Sequence, residues 1–225
     1  MGLINLYNMD CMEAMKAMPD KAYELAIVDP PYGIDIESHQ EEMNMRKVII
    51  NYGAWKQYKK SEWDKNIPDC SYFDELRRIS HHQIIWGGNY MLDYLGSTKC
   101  FIIWDKIQRD NRADAEIAWT SFKKPIKVFR YSRVDAYINH CDAKIHPTQK
   151  PVKLYEWLLK NYAKPGDRIL DTHLGSGSIA IACHNMGFAL DGYELDKDYF
   201  EAAVKRLENH KRQGTLFAPE EVFAR

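Results

Sequence analysis

Residues 168–194 read RILDTHLGSGSIAIACHNMGFALDGYE and contain the pattern that decides the fold. An apolar run ends at Asp171, a tight turn follows at Gly175-Ser176-Gly177, and apolar residues recur at helical spacing from Ile179 onward. A second apolar run begins at Phe188 and ends at Glu194. This order predicts two parallel strands joined by a helix, with both acids at the carboxyl edge of one sheet.

The two ends of the chain continue this alternation of strands and helices. Pro151 suits the first turn of a helix before this unit, and Asp196 can cap a helix after it. Leu3–Tyr7 and Glu24–Val28 are strand candidates, separated by a helix that Asp10 can cap. Further strand-like runs lie at 83–86, 100–104, 116–119 and 127–131. We therefore predict an α/β fold with a mostly parallel, twisted sheet and helices on both faces.

The composition is that of an ordinary globular chain of 225 residues, with 45% hydrophobic residues, 28% charged residues and a net charge of −1. No apolar run approaches the roughly 20 residues that span a bilayer, and the first residues lack a signal-peptide pattern, so we expect a cytoplasmic location. The five cysteines are scattered and never spaced as CxxC. Because His140, Cys141 and His146 fit no zinc spacing either, we expect no metal.

The glycine-rich turn and the acid that follows it predict an adenosine-containing ligand. Glu194 lies 19 residues after Gly175, which is the spacing at which dinucleotide folds place an acid on ribose hydroxyls. The third glycine of a phosphate-binding GxGxxG is replaced by Ala180, and the carboxylate of Asp171 suits a positive group. S-adenosylmethionine carries an ammonium and a sulfonium but no phosphate. The alternatives are a structural turn and a nicotinamide dehydrogenase.

A second site signal is Asp29-Pro30-Pro31-Tyr32, which follows an apolar strand and so also lies at the carboxyl edge. Two prolines fix φ and remove two donors, which leaves the Asp29 carboxylate and the Pro30 carbonyl as rigid acceptors beside an aromatic ring. The exocyclic amine of a base has two hydrogens to donate and a flat ring to stack. Two acceptors favour a pyramidal nitrogen that can attack a methyl donor. The alternative is a strand-ending turn with a surface tyrosine.

DPPY and DTHLGSGS together resemble the S-adenosylmethionine-dependent amino-group DNA methyltransferases, which have a Rossmann-like fold. The order DPPY, then HPTQKP at 146–151, then GSG resembles their circularly permuted beta group, and its compact phage and prophage enzymes in particular. The resemblance covers most of residues 5–35 and 144–210. It implies methyl transfer to N6 of an adenine flipped out of a specific double-stranded DNA sequence. Cytosine N4 is the alternative, although those enzymes more often carry serine in place of Asp29.

The resemblance also implies roles for individual residues. The flipped base would be held by Asp29, Pro30, Pro31 and Tyr32. Asp171 would bind the methionine ammonium of the cofactor, Glu194 the ribose, Asp10 the adenine amine, and Thr148 and Lys150 the carboxylate end. His173 stands where the family often has phenylalanine, and we expect it to pack rather than to act as a base. The full predicted cofactor set is Asp10, Cys11, Asp29, His146, Thr148, Lys150, Asp171, His173, Gly175, Ser176, Gly177 and Glu194.

Two basic segments with interleaved aromatic residues predict DNA binding, since lysine and arginine neutralise phosphates and aromatic faces stack bases. We expect them in DNA-recognition loops at about 34–70 and 105–140, inserted in a single methyltransferase domain of residues 1–225 with a short tail at 211–225. A solvated loop and an exposed strand face are the alternative. The predicted DNA-binding residues are Arg46, Lys47, Trp55, Lys56, Lys59, Lys60, Lys123, Lys124, Lys127, Arg130 and Arg133.

Other expectations concern partners and competing functions. The tail from Gln213 to Phe217 resembles the peptide that docks on bacterial sliding clamps, with glycine where leucine is usual, and the permuted class commonly forms homodimers. A role in restriction–modification is the setting that the resemblance suggests. The competing functions are methylation of RNA or of protein glutamine, and binding of DNA or cofactor without catalysis.

Overall fold

The computed structural model describes residues 2–34, 66–107, 113–132 and 145–216. Eight strands of these residues form one sheet. They are β1 (Ile4–Asn8), β2 (Tyr23–Val28), β3 (Ser80–Trp86), β4 (Phe101–Asp105), β5 (Ala115–Thr120), β6 (Lys127–Arg130), β7 (Arg168–Asp171) and β8 (Ala189–Glu194). The helices are α1 (Cys11–Ala17), α2 (Cys70–Ile79), α3 (Leu92–Leu95), α4 (Val152–Tyr162), α5 (Ser178–Met186) and α6 (Lys197–Leu216).

The strands lie in the order β1-β8-β7-β2-β3-β5-β4-β6. Among the strands of the described ranges, β5 alone runs antiparallel to its neighbours, β3 and β4. The remaining pairs are parallel. The predicted mixed α/β class with a mostly parallel sheet is therefore confirmed.

The order in which successive strands are added to the sheet reverses between the parallel strands β7 and β2. From β7 the chain passes through α5 to β8 on one side, and from β2 it passes through α2 to β3 on the other. Ala26 of β2 lies opposite Leu170 of β7, so the two strands end side by side. In open α/β sheets, ligands bind in the crevice outside the carboxyl ends of the strands at such a switch point.

Helices cover both faces of the sheet, as predicted. Leu25 and Ile27 of β2 pack into a core with α4, α5 and α6, whereas Ala26 and Val28 pack into a second core with α1 and α2. Successive residues of a strand point to opposite faces, so this strand is buried on both sides and reads as a continuous apolar run. The crevice is thereby built at the end of a strand that is buried on both faces.

The helix α2 was not predicted. Its first turn is capped by Asp69, whose carboxylate accepts from Ser71 N at 2.9 Å and from Tyr72 N at 3.3 Å. Its buried face carries Tyr72, Phe73, Leu76 and Ile79 at helical spacing. No helix in the described part of the chain is long and apolar enough to cross a membrane.

Candidate active site

The residues predicted to be catalytic, Asp29 to Tyr32, form a turn directly after β2 at the switch point, and we call it the catalytic turn. The Tyr32 hydroxyl donates to Oδ1 of Asp29 at 2.5 Å. The Tyr32 ring stacks on Tyr90 with a centroid distance of 5.5 Å, and the side chain of Asp29 keeps 15% of its surface exposed. The turn thus places a carboxylate beside an aromatic face, as the sequence predicts.

A buried lysine contacts this turn. The ammonium of Lys150 contacts Oδ2 of Asp29, and it lies 3.1 Å from the Tyr32 hydroxyl and 3.2 Å from Oε2 of Glu116. The side chain of Lys150 is only 1% exposed. Lys106 Nζ lies 2.7 Å from the other carboxylate oxygen of Glu116. We call the series Lys106, Glu116, Lys150 and Asp29 the ion chain; it alternates in sign and sums to zero charge.

The protonation of the ion chain follows from burial and from these contacts. Burial opposes ionisation of Glu116, but the charges of Lys150 and Lys106 outweigh it and hold the pKa of the carboxyl at about 2. Burial also disfavours the charged form of Lys150, and the carboxylates of Asp29 and Glu116 overcome this and raise its pKa. The pKa of Asp29 is raised by burial, with Lys150 opposing the shift. The ammonium of Lys150, together with the hydrogen bond from Tyr32, therefore favours an ionised Asp29.

The second half of the site is the turn that follows β7. Asp171 is 2% exposed, and its Oδ1 accepts from His173 N at 3.0 Å. Burial raises the pKa of Asp171 to about 8, with a further contribution from the nearby charge of Asp29. A cationic ligand group beside this carboxylate would recover the free energy that burial costs its ionised form.

Glu194 and the glycines shape this turn. The Glu194 carboxylate accepts from Gly175 N at 2.8 Å and from Asp196 N at 2.9 Å. Gly177 has φ of +70°, and a Cβ there would lie 3.1 Å from Cβ of Ala203, so a larger residue would be both strained and crowded. The backbone before α5 is therefore packed closely against α6 at this glycine.

The segment 145–150 connects the two halves. His146 lies against the glycine turn, since a Cβ on Gly175 would be 3.7 Å from its Nδ1, and its ring packs edge-on against Tyr199. Thr148 Oγ1 lies 3.0 Å from His146 Nδ1. Lys150 was expected at the carboxylate end of the cofactor, and the structure places its ammonium on the catalytic turn.

Asp10, Cys11 and His173 complete the predicted cofactor set. Asp10 caps α1 by accepting from Met12 N at 2.7 Å, close to the carboxyl ends of β1 and β8, where Asn8 and Glu194 are register partners. Burial raises the pKa of the Cys11 thiol to about 12, so it is protonated. Burial lowers the pKa of His173 to about 4, so its ring is neutral.

His173 is also held by a polar relay from α2. Its Nδ1 lies 2.9 Å from Thr172 Oγ1, which lies 2.6 Å from the Tyr72 hydroxyl. A neutral ring tied into such a relay serves to position the turn after β7. In the described part of the chain, no group of three or more His, Cys, Asp or Glu side chains could hold a metal.

The predicted DNA-binding residues that the structure describes do not gather at the catalytic turn. Lys127 pairs with Ile102 near the start of β4, at the amino edge of the sheet. Lys123 and Lys124 follow β5, which runs antiparallel, and so they also lie at that edge. Arg130 lies at the carboxyl edge, where it pairs with Asp105 at 3.2 Å.

Several predicted partner-binding residues lie outside the described residues, and their roles stay predictions. The segment that resembles a clamp-binding peptide begins at Gln213, inside α6. Its last residue, Phe217, lies outside the described residues. The DNA-binding residues concerned are Arg46, Lys47, Trp55, Lys56, Lys59, Lys60 and Arg133. The single domain, the homodimer and the clamp also stay predictions.

Sequence reasoning missed Glu116 and Lys106. Both lie at the carboxyl edge, because Lys106 follows β4 and Glu116 stands near the start of the antiparallel β5. The signal in the sequence is an acid at the beginning of a strand-like run. It indicates a site residue only once the direction of that strand is known.

Comparison with known proteins identifies the family. The DNA methylase family, which covers N6 and N4 methyltransferases, matches residues 56–205. The type II methyltransferase M.HpaI of Haemophilus parainfluenzae is 24% identical over 230 residues, which is 89% of this chain and 73% of that protein. The type II methyltransferase M2.DpnII of Streptococcus pneumoniae is 41% identical over 63 residues, or 28% of this chain and 24% of the relative.

Solved structures share the fold. The complex of M1.HpyAVI with SAM has a TM-score of 0.60 at 21% sequence identity. The alignment covers 91% of this chain and 100% of the M1.HpyAVI chain. The cytosine-N4-specific PvuII DNA methyltransferase has a TM-score of 0.58 at 13% sequence identity. That alignment covers 94% of this chain and 91% of the PvuII enzyme. At these identities, the two structures establish a common architecture with the present chain.

Proposed function

The chain belongs to the DNA methylase family of N6 and N4 methyltransferases, and within this family we propose that it methylates N6 of adenine in a specific double-stranded DNA sequence. It is a DNA amino-methyltransferase, and its cofactor is S-adenosylmethionine. The observation that carries the proposal is the catalytic turn, where the Asp29 carboxylate and the stacked Tyr32 ring lie next to the glycine turn after β7.

The turn after β7 fits the cofactor. Asp171 is a buried carboxylate that a cation would stabilise, and Glu194 presents its carboxylate at the end of the neighbouring strand. A Cβ at Gly175 would come no nearer than 3.7 Å to His146, so this glycine leaves space for close approach of a ligand to the backbone. We assign the methionine ammonium to Asp171 and the ribose hydroxyls to Glu194. Bound there, S-adenosylmethionine supplies an electrophilic methyl group on its sulfonium.

The residues of the catalytic turn act on the target amine. Asp29 and the Pro30 carbonyl each accept one of its hydrogens, which favours a pyramidal nitrogen with its lone pair directed at the glycine turn. Tyr32 stacks on the base, which is worth roughly 1–3 kcal/mol and offsets part of the few kcal/mol that base extrusion costs. The rate enhancement then comes mainly from holding the reacting atoms in line.

Adenine is preferred over cytosine because of the first residue of the turn. The amino-group enzymes that act on cytosine N4 more often carry serine where this chain has Asp29. The reaction is the same for both bases, so the choice of base affects the substrate and leaves the assigned roles unchanged.

The base assignment is tested by product analysis. The protein is incubated with S-adenosylmethionine labelled in the methyl group and with unmethylated genomic DNA, which is then digested to nucleosides and separated. We expect the label in N6-methyladenine. Label in N4-methylcytosine would overturn the adenine assignment, and an absence of label on DNA with intact cofactor binding would contradict a DNA substrate.

Replacing Gly87 with alanine is expected to lower the rate of methyl transfer by about tenfold or more, because small misplacements of a reacting group are costly. A Cβ there would lie 2.2 Å from the Tyr32 ring, so the ring must move away from its stacking position. The rate is measured with saturating cofactor and DNA. Gly96→Ala is the matched control, since Gly96 has a similar φ of +72° and no described atom within 4 Å of the added Cβ. Equal losses in both variants would contradict this reading of Tyr32.

A further inference from the structure

The ion chain joins four elements of the fold. Asp29 follows β2, Lys106 follows β4, Glu116 lies in β5, and Lys150 precedes α4. Within the described part of the chain, Lys150 is the member whose ammonium contacts two carboxylates, since it lies on Oδ2 of Asp29 and 3.2 Å from Oε2 of Glu116. A side chain held at both sides and 1% exposed has almost no rotational freedom.

The two oxygens of the Asp29 carboxylate have different partners. Oδ2 faces the ammonium of Lys150, and Oδ1 accepts from the Tyr32 hydroxyl at 2.5 Å. The Tyr32 hydroxyl has a second partner, because Lys150 Nζ donates to it at 3.1 Å. An incoming amine can therefore replace the hydroxyl at Oδ1 while Lys150 remains on Oδ2.

We propose that Lys150, held in place by Glu116, is a positioning residue that fixes the Asp29 carboxylate so that Oδ1 accepts the hydrogen of the target amine. This inference rests on the proposed function, because it concerns the same amine. It differs from the role that the family resemblance implies for Lys150, which is to bind the carboxylate end of the cofactor. Lys150 acts through Asp29 and does not itself touch the base.

Removal of Lys150 has a second consequence, which concerns protonation. Burial raises the pKa of Asp29, and the ammonium opposes that shift. Without the ammonium, the pKa rises further, and a larger fraction of the carboxyl is protonated at a given pH. A protonated carboxyl is a weaker acceptor, so activity is lost from the acid side. The titratable groups that face Asp29 are Lys150, Glu116, Tyr32, Asp171, Tyr72 and Tyr155.

The test is the variant Lys150→Met, which removes the ammonium and keeps an unbranched side chain. We expect kcat for methyl transfer to fall about 100-fold, the loss typical of a preorganised electrostatic contact, with the cofactor Kd within about threefold of the wild-type value. The rise of kcat with pH is expected to move to higher pH by about one unit or more. Lys153→Met is the matched control, since Lys153 is half exposed and pairs with Glu156.

Two further variants keep the test informative if Lys150→Met does not fold. Glu116→Gln leaves Lys150 with one carboxylate, and Lys106→Met leaves Glu116 with one cation. We expect the loss of kcat to decrease from Lys150 to Glu116 to Lys106, with folding checked by thermal melting.

Several results would overturn the inference. A loss in cofactor affinity of about tenfold with an unchanged kcat would assign Lys150 to the cofactor instead. If the wild-type protein is active, an unchanged pH profile in Lys150→Met, or variants that are all as active as the wild type, would contradict the positioning role. The proposed function would then still stand. An inactive wild-type protein would instead overturn the proposed function, and this inference with it.

Discussion

Replacing Asp29 with asparagine is expected to reduce methyl transfer to DNA by about 100-fold or more, the effect of losing one electrostatic contact made at the reacting atoms. The variant keeps the size of the side chain but removes the charge on which both Tyr32 and Lys150 converge. Cofactor affinity is expected to stay within about fivefold, because the residues that we propose to bind that ligand are chiefly Asp171 and Glu194. The measurements are single-turnover rates and a cofactor titration.

The control for this variant is Asp93→Asn, a change of the same kind at an exposed residue of the short helix α3. It is expected to leave both quantities unchanged. If Asp29→Asn retained more than about a tenth of the wild-type rate, the carboxylate would not be the acceptor of the target amine.

Replacing Asp171 with asparagine is expected to weaken cofactor binding strongly and at the same time to stabilise the fold. Loss of one partner of a buried charge pair costs about 2–5 kcal/mol of binding free energy, which weakens the cofactor by about 30-fold or more. The stability gain arises because burial raises the pKa of Asp171 from 3.8 to about 8. The native state then holds this proton more tightly than the unfolded state does.

The sign of the pH dependence follows from that shift. The contribution of Asp171 to the free energy of unfolding is fully present below about pH 4 and is lost as the pH rises to about 8. Asparagine does not titrate, so the stability advantage of the variant should grow across this window. Urea unfolding at several pH values between 5 and 8 measures it.

Asp191→Asn is the matched control on the neighbouring strand. Asp191 is equally buried, at 2% exposed, but it pairs with Arg168 and accepts from Tyr23 and Asn5. Its replacement should therefore lower stability by about 1–3 kcal/mol. A stability loss at both positions would contradict the assignment of Asp171 as a carboxylate held ready for a cation.

The sequence was sufficient to predict the parallel sheet and the placement of three acidic residues at one edge of it. The apolar runs that end at Asp29, Asp171 and Glu194 are strands whose carboxyl ends lie at one edge, as predicted. This prediction succeeded because the rule for parallel strands needs only the element order. The amino-methyltransferase family was predicted from motifs that lie at that edge. It was confirmed by the family match over residues 56–205.

The residues that the sequence did not assign depend on contacts between distant segments. Glu116 reaches Lys150 only because β5 is inserted antiparallel between β3 and β4, and no local pattern specifies that direction. The same inversion places Lys123 and Lys124 at the amino edge of the sheet, away from the catalytic turn. The helix α2 is a different case: its cap Asp69 and its apolar spacing were present in the sequence, next to a polar stretch that obscured them.

In the proposed complex, one crevice holds both reactants, with the cofactor on the β7 side and the base on the β2 side. The most direct test is a crystal structure of the protein with S-adenosylhomocysteine. We expect the ammonium of that ligand within hydrogen-bonding distance of Asp171, its ribose on Glu194, and its sulfur directed toward Asp29 and Tyr32. A ligand bound elsewhere on the chain, or one whose sulfur faces away from Tyr32, would contradict the account.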